Sequence, residues 1–141
     1  MRITLPDGVP LLAHGRLAVA RRRDPDFALY LDSAWDDDGE VTWPHTSIEW
    51  PDFGLPADED ALFDAVFEVY DRAEAGQLVE VASFGGLGRT GAVLGCLTVV
   101  AGIRDPRGAI DWVRGNYHPS AIETPEQVGL VTRFAETRAS R

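Results

Sequence analysis

The segment Val79-Glu80-Val81-Ala82-Ser83-Phe84-Gly85-Gly86-Leu87-Gly88-Arg89-Thr90-Gly91 constrains this chain more than any other. Leu78 to Ala82 is an apolar run that reads as a buried strand. Four of the next nine residues are glycine, and an apolar helix runs from about Arg89 to Ala101. The first N–H groups of a helix have no partner within it and, with the helix dipole, favour an anion. Glycines let successive N–H groups converge on one oxyanion without Cβ clashes. Arg89 adds a guanidinium fork that can hold two anion oxygens at once. The expected ligand is therefore phosphate, sulfate or carboxylate. The plainer alternative is a tight strand-to-helix turn carrying a surface arginine.

The flanking sequence reads as α/β. Phe27 to Leu31 is a buried strand and Ser47 to Trp50 a weaker one, with Pro44, Pro51 and Pro56 keeping the region out of helix. Leu62, Phe63, Val66, Phe67, Val69, Tyr70 and Ala73 recur at helical spacing between Asp58, a cap, and Gly76, a stop. Asp105-Pro106 opens a third helix, closed near Gly115-Asn116, and Thr124-Pro125-Glu126-Gln127 opens a fourth. Strands alternating with such helices predict helices layered on a sheet. The 141 residues fit one domain, 1–141.

Composition excludes some functions. A net charge of −10 argues against broad nucleic-acid binding and against docking on anionic lipid, which both reward a basic face. All 13 basic residues are arginine, which removes lysine-based phosphate sites and Schiff bases and suggests a GC-rich, bacterial genome. The longest apolar stretch, Ala92 to Ile103, is too short to span a bilayer, and Met1 begins no secretory leader. The single cysteine, Cys96, sits in the apolar helix, reads as core, and suits a reducing cytoplasm. His14, His45 and His118 show no metal-ligand spacing.

Three templates compete for the glycine-rich turn. Gly86 to Gly91 matches G-x-G-x-x-G, but the acidic residue about 20 positions on, Asp105, starts a helix where a dinucleotide site needs a strand end. Val81-Ala82-Ser83-Phe84-Gly85 nearly matches the serine-hydrolase elbow, but Val81 replaces its first glycine and only His118 follows as a base. The third fits best. Ser83, five residues, then Arg89-Thr90 resembles the phosphate loop of cysteine-based protein tyrosine phosphatases, C-x-x-x-x-x-R-[S/T], with serine at the cysteine position. Trp50-Pro51-Asp52-Phe53-Gly54-Leu55-Pro56 is similar to that family's WPD loop, and Ile122 to Gln127 to its glutamine loop, in the family's order.

The resemblance, which runs from about Ser47 to Phe134, implies a three-layer α/β fold with a central, mostly parallel sheet of four to five strands flanked by helices. It implies a phosphomonoester hydrolase working through a phosphocysteine, with no cofactor and no metal. Ser83 would occupy the nucleophile's place. Phe84, Gly85, Gly86, Leu87, Gly88 and Arg89 would bind the phosphoryl group, and Arg89 would stabilise transition-state charge. Thr90 would hydrogen-bond the nucleophile, Asp52 would serve as general acid and then base, and Gln127 would orient water. Thr124-x-x-Gln127 is also a capping box, the alternative role of Gln127. Trp50 reads as the hinge of its loop; Trp35, Trp43 and Trp112 read as core or interface.

Two departures qualify the likeness. A serine hydroxyl stays protonated where a loop of N–H groups would ionise a thiol, so the Ser83 form is expected to be inactive. It is either an engineered substrate trap, which the otherwise intact machinery favours, or a natural pseudophosphatase that binds phosphorylated partners. The histidine usual before the nucleophile is replaced by Ala82. The loop side chains, Phe84 and Leu87 among glycines, carry no charge and point to a singly phosphorylated substrate: a phosphorylated protein, phosphotyrosine foremost, or a small phosphomonoester. Phe84 is placed to pack on an aromatic leaving group, and Arg21, Arg22 and Arg23 to guide an acidic peptide.

Overall fold

A computed structural model describes residues 1–15, 23–32 and 41–138. In chain order the elements are β1 (Arg2–Thr4), β2 (Pro10–Gly15), β3 (Phe27–Tyr30), β4 (His45–Ser47), α1 (Glu59–Glu74), β5 (Val79–Ser83), α2 (Gly88–Val100), α3 (Pro106–Asn116) and α4 (Pro125–Arg138). The strands form one sheet in the order β1-β2-β5-β3-β4. Only the β1–β2 pair is antiparallel. The mostly parallel, five-stranded sheet flanked by helices is the one the sequence leads to expect.

Strand alternation sorts the sheet into two faces. Leu11, Ala13, Phe27, Leu29, Val79 and Val81 share one core with the buried side chains of all four helices. On the other face lies a smaller cluster of Ala28, Tyr30 and Ala82, against which Val41 and Trp43 pack. Among the described residues the helical cover is thus one-sided, and this smaller cluster lines the face where the third layer is expected. That face also buries charge. Glu80 Oε1 lies 2.8 Å from His14 Nε2, Tyr30 donates to Glu80 Oε2, and Trp43 Nε1 donates to the Tyr30 hydroxyl at 3.0 Å. Satisfying the carboxylate with several partners is what makes its burial tolerable.

The helix ends follow the sequence signals. Asp58 caps α1 by accepting from the Ala61 N–H at 3.0 Å, and Asp105 caps α3 by accepting from Gly108 N–H at 3.3 Å. Helix α2 is buried from Gly88 to Val99, so it has no solvent face to show a polar stripe. Cys96 is fully buried there, and burial pushes its thiol well above the ordinary range. Strand β4 begins two residues and ends three residues earlier than the weak signal over Ser47–Trp50, because pairing with β3 ends where Ile48 N–H donates to Tyr30 O at 2.8 Å. Strands β2 and β5 end level, Gly15 opposite Ser83, so the turn into α2 lies at the carboxyl edge of the sheet. Open α/β sheets bind ligands at that edge.

Candidate active site

Ser83 is the last residue of β5 and is 1% exposed. Its Oγ lies 2.8 Å from Thr90 Oγ1 and accepts from Gly86 N–H at 3.2 Å. The turn from Ser83 to Gly88 is held from behind by β2. A Cβ on Gly86, whose φ is +76°, would lie 2.3 Å from Gly15 N, and a Cβ on Gly15 would lie 2.7 Å from Gly85 O. Two backbones therefore touch where no side chain fits, which is a physical requirement for glycine at both positions. From the other side the Tyr117 hydroxyl donates to Gly86 O at 2.5 Å. Burial raises the Tyr117 hydroxyl to about 12. The start of α2 has no side-chain cap, which leaves its first N–H groups for a ligand.

Arg89, in the first turn of α2, is 5% exposed. Its Nη1 donates to Trp50 O at 2.9 Å and to Leu31 O at 3.4 Å, and its Nε lies 3.8 Å from Asp52 Oδ1. The guanidinium thus ties the α2 start to the Trp50–Pro56 segment. Trp50 is buried and donates from Nε1 to Gly54 O at 2.8 Å, closing a tight bend. Asp52 sits in that bend, half exposed, and accepts from Phe53 N–H at 3.0 Å. Phe53 has φ +62°. Left-handed backbone at a bulky residue is uncommon and tends to persist where the surrounding structure enforces it, often near functional sites.

Asp52, Phe53, Ser83, Gly85, Gly86, Leu87, Gly88, Arg89 and Glu123 line a cavity of about 140 Å³. The segments singled out in the sequence therefore meet at one place. Phe84, the other loop residue expected to bind phosphate, is half exposed and is not among the residues that line this cavity. Gln127 is fully buried. Its backbone N–H donates to Thr124 Oγ1 at 3.2 Å, while its Oε1 accepts from Glu123 and Thr124 N–H groups at 2.8 and 3.2 Å. The capping box is formed. Among the described residues its Nε2 has no partner, and Nε2 and Oε1 lie 2.8 and 2.9 Å from where a Gly88 Cβ would be.

The sequence reading missed several participants. Glu123 lines the cavity, yet nothing in the sequence separates it from an ordinary helix-start glutamate. Gly15 and Tyr117 buttress the loop from β2 and from the end of α3, contacts that only the fold creates. His14 stands in register with Ala82, on the strand beside the position where the family usually has histidine, and is held by Glu80. Arg21, Arg22 and Trp35 lie outside the described residues; Arg23 pairs with Asp26 at 3.2 Å on the surface. Among the described residues no cluster of His, Cys, Asp and Glu fits a metal ion, and no helix is long and apolar enough to cross a membrane.

No protein-family model matches the sequence. Two uncharacterized proteins of Methanocaldococcus jannaschii are 34% and 36% identical to it over 95 residues, 67% of this chain. The match spans 57% and 62% of those relatives' lengths. Among solved structures, Tk-PTP in its active form is 26% identical, with a TM-score of 0.67 over 82% of this chain and 81% of that one. Kinase associated phosphatase, solved with its catalytic cysteine substituted by serine, is 17% identical, with a TM-score of 0.72 over 100% and 97%. DUSP15 is 11% identical, with a TM-score of 0.75 over 92% and 85%. The fold of this chain is that of the protein tyrosine phosphatases and dual-specificity phosphatases.

Proposed function

We propose that the chain is a phosphomonoester hydrolase of the protein tyrosine phosphatase type, disabled as it stands by serine at the nucleophile's position. The observation that carries this reading is the convergence of Ser83, Arg89 and Asp52 on one small cavity at the start of an uncapped helix. A tetrahedral dianion there would meet loop N–H groups, the helix dipole and the Arg89 fork. With cysteine at position 83, the thiolate would attack phosphorus while the bond to the leaving oxygen breaks. Asp52 would give that oxygen its proton. Water would then attack the phosphocysteine, giving its proton to Asp52, now the base, and the sulfur would leave as thiolate beside the Thr90 hydroxyl. Ser83 lacks the acidity for the first step, and loss of a nucleophile from such a set can cost about 10⁶ in rate.

The segments that form the site suggest the substrate. Phe53, Leu55 and Phe84 are exposed apolar side chains, and all three belong to the Trp50–Pro56 segment or the phosphate loop. Neither segment carries a basic side chain beyond Arg89. That favours one phosphate on an aryl group, phosphotyrosine in a protein or a small aryl phosphate, over a multiply phosphorylated ligand. A second reading, a binding module for phosphorylated partners, is favoured by Ser83 itself.

Restoring the nucleophile separates the two. In Ser83→Cys, the enzyme reading expects steady release of phosphate from p-nitrophenyl phosphate. No turnover, together with phosphopeptide binding by the Ser83 protein, would establish the binding module instead.

A further inference from the structure

We propose that the buried His14–Glu80 pair is a positioning device for the anion loop. It fixes β2 against β5, so that the end of β2 holds the Gly86 N–H on the atom at the nucleophile's place. This rests on the reading of that loop as a phosphate cradle and assigns residues that keep it in shape.

Both side chains lie out of water, His14 3% and Glu80 0% exposed. Glu80 Oε1 faces His14 Nε2 at 2.8 Å, and a carboxylate offers only acceptors, so Nε2–H is the donor. Among the groups facing the pair are the Tyr30 hydroxyl, which donates to Glu80 Oε2, and the Met1 amine, 3.4 Å from His14 Nδ1. Replacing a buried ion pair by apolar side chains of similar volume often costs no stability, so stability alone does not account for this one. Its position does.

In the parallel pairing of β2 with β5, Leu12 stands opposite Glu80 and His14 opposite Ala82. The His14–Glu80 contact therefore runs obliquely between the strands. Such a tie resists sliding of one strand along the other, which a bond straight across does not. At the next residue β2 ends against the loop. A Cβ on Gly86 would lie 2.3 Å from Gly15 N and 2.8 Å from the carbonyl carbon of His14, and one on Gly15 would lie 2.7 Å from Gly85 O. No side chain cushions that contact, so a shift of β2 passes directly to Gly85 and Gly86. The Gly86 N–H donates to Ser83 Oγ at 3.2 Å. The path from Glu80 through His14 and Gly15 thus ends on the nucleophile's position, where a hydrogen-bond donor favours a thiolate.

The test compares His14→Gln with His14→Asn. Both side chains are amides, but only glutamine places an N–H where Nε2 stands; asparagine is too short. One readout is the pH midpoint of iodoacetamide alkylation of the thiol introduced by Ser83→Cys, followed by intact mass. Cys96, fully buried, does not compete. The other is tungstate affinity in the Ser83 protein. His14→Asn is expected to raise the midpoint by about one pH unit. It should weaken tungstate about tenfold, the worth of one hydrogen bond to a charged group. His14→Gln should keep both values within about threefold of the parent's. Equal behaviour of the two amides would overturn the proposal. So would a His14→Asn protein that loses thermal stability while both readouts remain unchanged, which would mark the pair as core alone. If His14→Asn does not fold, His14→Leu combined with Glu80→Gln takes its place with the same expectation, since it leaves no unpaired charge. An introduced thiol that titrates like free cysteine, about 8.5, in a protein that binds no tungstate would remove the cradle reading and this proposal with it. A cradle that binds tungstate but is indifferent to His14 removes this proposal alone.

Discussion

Replacing Arg89 by methionine separates anion binding from folding, because the structure gives that side chain two different jobs. The guanidinium is 5% exposed, and its carboxylate partner Asp52 is half exposed and 3.8 Å away. Its hydrogen bonds go to the carbonyls of Trp50 and Leu31. Methionine of similar length would leave the Trp50 carbonyl unpaired, which costs roughly 1–3 kcal/mol. Removing a weakly compensated buried cation offsets part of that loss. The anion loses far more. Two charge-assisted hydrogen bonds at roughly 1.5–3 kcal/mol each amount to about 3–6 kcal/mol, or about 10²- to 10⁴-fold in affinity. The assay is thermal unfolding with and without tungstate. At one hundred times its dissociation constant, a ligand stabilises by about 2.7 kcal/mol. For a chain of 141 residues, between the size classes for which 1 kcal/mol shifts Tm by roughly 2–4 and 4–8 °C, that is a rise of about 8–13 °C. The same tungstate concentration should raise Arg89→Met by no more than about 2 °C. An equal rise in both proteins would mean that the anion binds elsewhere, and the site described above would be refuted.

Two further outcomes follow from the geometry. In the Ser83→Cys background, Asp52→Asn should slow hydrolysis of a phenyl phosphate by about 10²- to 10⁴-fold. It should slow p-nitrophenyl phosphate much less, since that leaving group needs little protonation; equal losses on both substrates would count against Asp52 as acid. Tyr117→Phe removes the bond to Gly86 O and should weaken tungstate binding severalfold in the titration used for Arg89. Burial raises the Tyr117 hydroxyl from the model-peptide 10 to about 12, so the unfolded chain ionises first. Its contribution to stability is complete below pH 10 and is lost as pH rises through about 12. Alkaline denaturation should therefore be shallower in Tyr117→Phe than in the parent, and identical curves would contradict the assignment.

What the sequence discloses is what local chemistry encodes. The helices of Asp58 and Asp105-Pro106 are legible because a cap and a stop bound each of them, and that of Thr124 because its capping box marks the start. The loop of Ser83 to Arg89 is legible because glycine spacing answers to backbone geometry. Strands β1 and β2 show too short a pattern in the sequence, and only the pairing of β2 with β5 and of β1 with β2 defines them. The buried Glu80 looks like an outward-facing residue of an alternating strand until the fold brings His14 and Tyr30 to it. Gly15, Tyr117 and Glu123 escape notice for the same reason. Each acts on the loop from a distant part of the chain, and a single sequence shows no such long-range contact.

The most direct measurement is a crystal of the chain soaked in tungstate, with the metal located by its anomalous signal. The account requires a single strong peak above Ser83 Oγ, within hydrogen-bond reach of the Gly85–Arg89 amides and of the Arg89 guanidinium. A loop empty of tungstate, with the anion found elsewhere or absent, would contradict it.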